Sequence, residues 1–162
     1  MTEKFETLAL EIINAIQKWE NRLQMLNEEQ ITIPRNSQHR NIRQILGHMV
    51  DSASNNTHRV VHLQYRESPV EFPNYATNGN NDRWIAIQNY EQEDWQNLIQ
   101  LWKYSNLHYA HIIRQIRPEF LLQKWIAAAD TLVSLDEMVT DYPRHLYLHL
   151  NEIEELIERS VS

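Results

Sequence analysis

The stretch "SLDEMVTDYPRHLYLHLNEIEELIER", residues 134–159, sets the reading of the fold. Ser134 followed three residues later by Glu137 is a capping box, which marks a helix start. Behind it Met138, Val139, Tyr142, Leu146, Leu150, Ile153 and Leu156 recur at three-or-four spacing. That is the stripe of an amphipathic helix running to about Arg159. Two imidazoles, His145 and His149, interrupt the apolar run. At about 100° per residue, with His145 at 0°, His149 falls at about 40°, Met138 and Leu156 at about 20° and Tyr142 at about 60°. Both rings therefore stand on or beside the buried stripe, while Tyr147, Asn151, Glu154 and Glu158 occupy the opposite side. Pro143 either bends this helix by removing one backbone hydrogen bond or marks its first regular turn.

Three further patterns of this kind precede it. Phe5, Leu8, Ile12, Ile16, Trp19, Leu23 and Leu26 form one stripe, which stops before "TIPRNSQHR" at 32–40. A second helix is expected from Asn41, capped with Gln44, to about Arg66. A third is expected from Glu91 to Ile116, with residues 83–90 as a short helical turn before it. The connection "ESPVEFPNYATNGNND", 67–82, is long for an interhelical link and suggests a crossover or a lid. "EFLLQKWIAAADT", 119–131, is ambiguous between helix, strand and loop. The pattern describes an all-α protein, a single four-helix-bundle domain over residues 1–162.

Composition narrows the function. Only two glycines occur, which suits long helices, and the absence of cysteine removes disulfides, thiolate metal sites and any thiol nucleophile of the chain itself. A net charge of −7 argues against non-specific nucleic-acid binding. No stretch of about 18 apolar residues suggests a membrane span, and no signal-peptide pattern opens the chain, so a cytoplasmic location is expected. Trp19, Trp95 and Trp102 suit the core or the face of a homodimer.

The pair His145 and His149 has two readings. Two imidazoles one turn apart can share a metal ion, or each can be a partly buried ring with a local hydrogen bond. His58 and His62 have the same spacing but lie with Asp51, Asn55 and Arg66, on what reads as a solvated face. His108 and His111 point away from Trp102, and His39 lies in a connection. His48, in "ILGHMVDSASNN", stands on the border of the second helix's stripe and would supply a third imidazole. Asp51 and Glu152, each three residues after one of these histidines, would orient a ring or remain solvated carboxylates. Asn55 and Arg59 extend along the same helix toward this region. Arg59 would bind an anionic substrate group or pair with a surface acid. Tyr142 would line a pocket or pack in the core.

"ILGHMVDSASNN" followed by "YPRHLYLHLNEI", with "YEQEDWQNLIQLWKYSN" between them, resembles the DinB/YfiT-like superfamily of metalloenzymes over most of the chain. The chain departs from it at Arg40-Asn41, where many members carry Trp-Ser or Trp-Thr. The resemblance implies a bundle of up-down-down-up order with long connections. It also implies a divalent metal, zinc or nickel, held by His48, His145 and His149. The implied activity is a thiol S-transferase using a low-molecular-weight thiol such as bacillithiol as cosubstrate, or a hydrolase of a small molecule. A non-catalytic ligand- or partner-binding bundle with a structural or vestigial metal site is the competing expectation. No catalytic acid or base is singled out by the sequence.

Overall fold

The computed structural model of the protein describes residues 3–161. Its frame is four long helices, α1 (Glu3–Gln24), α3 (Ile42–His62), α5 (Trp95–Ile113) and α6 (Leu135–Val161). Two short helices, α2 (Glu28–Thr32) and α4 (Asn80–Gln88), lie in the connections. So does an antiparallel hairpin of β1 (Lys124–Ala128) and β2 (Thr131–Ser134).

The caps set most boundaries. The Asn41 side chain accepts from the Gln44 amide and Gln44 returns the bond, so α3 begins where the sequence places it. Ser134 and Glu137 form the same reciprocal pair at 2.8 and 3.1 Å and start α6, which continues through Pro143. The third long helix begins at Trp95 rather than Glu91, because the Asp94 carboxylate accepts from the Asn97 amide at 2.9 Å. The helical turn expected over 83–90 starts earlier, at Asn80, directly behind the left-handed Gly79. The first helix stops at Gln24, and Asn27 with Gln30 opens the separate α2 through a capping box of its own. The second ends at His62, four residues short of Arg66.

Helix directions follow from the ion pairs that join their ends. Lys4 meets Asp136 and Arg22 meets Glu154, so α1 and α6 run parallel. Arg114 meets Glu6, and the Trp95 indole donates to the Leu23 carbonyl, so α5 runs against α1. Arg43 near the start of α3 donates to the Glu93 carbonyl just before α5, and Arg117 beyond α5 donates to Gln64 beyond α3. These two helices are parallel. The order is up, down, down, up. Helices α1 and α3 each pack against both α5 and α6, so they stand diagonally across the bundle.

The four apolar stripes meet in one core that includes Phe5, Ile12, Leu46, Trp102, Tyr109 and Leu150. Each large side chain withdrawn from water contributes about 1.5–3 kcal/mol. Trp19, Trp95 and Trp102 are all buried inside this core, so they do not form a dimer face. No described helix is long and apolar enough to cross a membrane.

The long connections fold back onto α3. Val70 donates to the Lys124 carbonyl at 2.9 Å and accepts from the Ile126 amide at 3.0 Å, which ties the 67–82 segment to the hairpin. Tyr90, just after α4, lays its ring on Gly47. Its hydroxyl donates to Asp51 Oδ1 at 2.5 Å. Asp51 is consequently 1% exposed, although the helix-face reading put it among solvated residues. Helical facing gives the direction of a side chain and not what a distant segment lays over it. Arg40 is also buried and pairs with Asp82 of α4 at 2.8 Å.

Candidate metal centre

His48 comes from the second turn of α3, and His145 and His149 come from consecutive turns in the middle of α6. Because α3 and α6 are antiparallel neighbours, the three rings meet between them. One nitrogen or more of each lies within 4.8 Å of the other two residues' nitrogens. The ring centroids are 4.4 Å apart for His145 and His149, 4.7 Å for His48 and His149, and 5.6 Å for His48 and His145. The Nε2 atoms of His145 and His149 face each other at 3.1 Å. Two Zn–N bonds of ordinary length at a tetrahedral angle put their nitrogens about 3.3 Å apart.

The outer nitrogens of the pair are held from behind. Glu152 Oε2 lies 3.0 Å from His149 Nδ1, and Ser52 Oγ lies 3.5 Å from His145 Nδ1. A carboxylate on Nδ1 keeps the proton there and leaves Nε2 with its lone pair. Asn36 donates to the same Glu152 oxygen at 3.3 Å. His48 Nδ1 is buried with no hydrogen-bond partner among the described residues. An unpaired ring nitrogen and two facing ones, from three imidazoles, are the donor set that a borderline divalent ion takes. The residues therefore fit such an ion.

The electrostatics keep two of the rings neutral. Burial, the neighbouring His149 and the Arg40 charge push His48 down to about 2. Burial and His149 push His145 down to about 4. Protons therefore do not compete for these two lone pairs at neutral pH. Burial opposes the charge on Glu152, but its bond to His149 and that from Asn36 hold the carboxyl below its usual range. Glu152→Gln removes this charge with little change of shape. It is expected to weaken zinc binding about 10-fold or more in competition with a chromophoric chelator. Unchanged affinity would remove Glu152 from any role at the centre.

A cavity of about 540 Å³ opens beside the cluster, with His145 in its wall. Tyr142 and Arg59 also line it, together with Ser52, Tyr75 and Trp125. Tyr142 belongs to the core as well, its hydroxyl donating to Asn106 at 2.6 Å. The other candidates point elsewhere. Asp51 accepts from Tyr90 and from Gln88, and makes no bond to His48. Burial pushes its carboxyl up, against the lowering effect of those two donors. Asn55 donates to the Asp51 carbonyl and faces a second cavity of about 300 Å³, lined also by His58, Phe72 and Trp84. His58, His108 and His111 are exposed.

Sequence reasoning missed the other charged groups of the first cavity, Glu137 and Asp141. A signal for them existed. They lie about 80° and 40° from His145 on the same helix face. Trp125 and Tyr75 had no comparable signal, since a hairpin and a loop carry them there.

The sequence matches no family model and no curated protein. The architecture, however, matches that of YfiT from Bacillus subtilis with a TM-score of 0.84. The alignment covers 99% of this chain and 90% of that one, at 15% sequence identity. The fold is YfiT-like. The Bacillus protein is described as "a probable metal-dependent hydrolase with an unusual four-helix bundle topology". The four-helix-bundle architecture is what the two chains share.

Proposed function

We propose that this chain is a metal-dependent hydrolase of a small molecule, with His48, His145 and His149 as the metal ligands. The observation that carries the reading is the convergence of three imidazoles beside a cavity large enough for a substrate. The likeness to YfiT supports it. Three protein ligands leave room on the ion for a further group, the arrangement of catalytic rather than structural zinc sites. A divalent ion there, zinc or nickel, supplies Lewis acidity that polarises a substrate and makes a water or thiol more acidic. Glu152 holds the His149 proton on Nδ1, and Ser52 is placed to do the same for His145. The walls from α3, α6 and the hairpin orient the substrate and screen it from bulk water.

Transfer to a low-molecular-weight thiol is a second reading. The chain has no cysteine to compete for the ion, and the cavity has room for a thiol beside an electrophile. One experiment separates the readings. Zinc-loaded and chelator-stripped protein are assayed on a panel of small esters and amides, and on electrophiles with added bacillithiol. Metal-dependent turnover without thiol supports hydrolysis, and turnover only with thiol supports transfer. No turnover in either panel would leave a ligand-binding bundle with a structural ion.

A further inference from the structure

The cavity beside the histidines carries three other charged side chains, and two of them are already committed. Glu137 accepts from the Ser134 amide at 2.8 Å as part of the α6 cap. Asp141 takes both ends of Arg144, at 2.6 and 2.9 Å. The third is Arg59. It is 7% exposed and forms no ion pair with a carboxylate among the described residues. Arginine is almost never buried this far without a counter-charge.

Its neighbours explain how it is held and what they leave free. The guanidinium lies 4.1 Å from the Trp125 ring centroid and 5.1 Å from that of Tyr75. The Tyr75 hydroxyl is also a hydrogen-bond partner. Aromatic rings attract a guanidinium through its flat faces, while its five N–H donors radiate from the edge. The stack fixes the orientation of the group and leaves donors on its edge. Burial works against the charge, lowering the guanidinium's affinity for its proton. A desolvated cation of this kind gains most from an anion that enters with it.

Position along α3 relates this group to the metal centre. Ser52, which lies against His145, precedes Arg59 by seven residues on one face of the helix. That separation is about 10 Å along the axis. The walls between them include Leu132, Val133 and Met138.

We infer that Arg59 is the anion-recognition residue of this cavity, selecting small molecules that carry a carboxylate or phosphate about two helical turns from the bond acted on at the histidines. The assignment of the reacting end rests on the metal-centre reading. The anion subsite itself stands on Arg59 and its cavity. An apolar body between the two ends matches the Leu132, Val133 and Met138 wall. Arg59 positions the substrate and takes no part in bond breaking.

The test uses chelator-stripped protein, so binding is read without the metal. Phenylacetate, phenyl phosphate and the neutral phenylacetamide are titrated calorimetrically into wild type and Arg59→Gln. At least one anion is expected to bind wild type on the order of 10- to 100-fold more tightly than the amide does, the range of a charge-assisted bidentate contact. The two anions distinguish a carboxylate from a phosphate site. Arg59→Gln is expected to lose the preference for anions while its thermal midpoint shows a folded protein. Arg59→Lys, which keeps the charge and loses the fork, is expected to retain part of the preference and serves if the Gln variant does not fold. No anion binding to wild type, equal binding of the amide, or unchanged binding in the variants would overturn the inference. Metal content of wild type and Arg59→Gln, measured by elemental analysis, reports on the metal centre separately. A wild type that takes up no metal yet prefers the anions would remove the centre and keep the subsite.

Discussion

Replacing His149 by alanine is expected to reduce bound divalent metal from about one equivalent per chain to a trace under elemental analysis. Structural zinc sites with four protein ligands are worth about 10–16 kcal/mol, so one ligand in such a site carries roughly 3–4 kcal/mol. Losing it weakens binding on the order of 100- to 1,000-fold. His48→Ala should behave alike, although it lies on the other helix, because the centre needs both. His58→Ala is the control. The Nε2 atoms of His58 and His62 also face each other at 3.1 Å, and the Tyr65 hydroxyl lies 2.7 Å from His62 Nδ1. Spacing and outer support are thus matched in the two pairs. The third imidazole from a second helix is what differs, and it predicts that His58→Ala keeps its metal. Unchanged stoichiometric metal in both His48→Ala and His149→Ala would sink the site.

Gly47→Ala is expected to destabilise the fold by about 3 kcal/mol, through overpacking and strain on a buried hydrogen bond. A Cβ at this position would lie within 2.5 Å of three Tyr90 ring carbons, so either the ring or α3 must shift. Moving the ring strains the 2.5 Å bond from the Tyr90 hydroxyl to the buried Asp51 carboxylate. For a chain of this length the thermal midpoint should fall by roughly 6–12 °C. Tyr90→Ala in the Gly47→Ala background removes the clash, so the double variant should be more stable than additivity predicts. A midpoint for Gly47→Ala within about 1 °C of wild type would show that the turn after α4 accommodates the methyl group easily. His48 adjoins Gly47, so a measurable loss of metal affinity is expected alongside the loss of stability.

These two predictions draw on different kinds of legibility. The inward facing of His145 and His149 was readable because a ring's direction follows from helical phase in a strongly periodic helix, and the family resemblance added His48 as the third. The caps Asn41 and Ser134 were readable because their chemistry is local. Contacts made by segments with no period were not. Gly47 reads as a place of close approach, but nothing in its neighbourhood says that Tyr90, forty-three positions later, fills it. Asp51 reads as solvated until that same turn covers it. Trp125 and Tyr75 reach the cavity only because Val70 pairs with the hairpin, and no repeat of residue types announces that pairing. The third long helix starts four residues after Glu91 because the carboxylate that caps it is that of Asp94.

The hairpin and the 67–82 segment have a consequence for how such a molecule diversifies. The imidazoles and their outer partners Ser52 and Glu152 all sit on α3 and α6, whose packing leaves little freedom to change. Tyr75, Trp125, Leu132 and Val133 sit on the two tethered connections, whose backbone is free of the bundle's repeat. The imidazole cluster and much of the cavity wall are thereby carried by different kinds of segment. A lineage can exchange the mouth of the cavity, residue by residue or by insertion, and keep the same three imidazoles behind it.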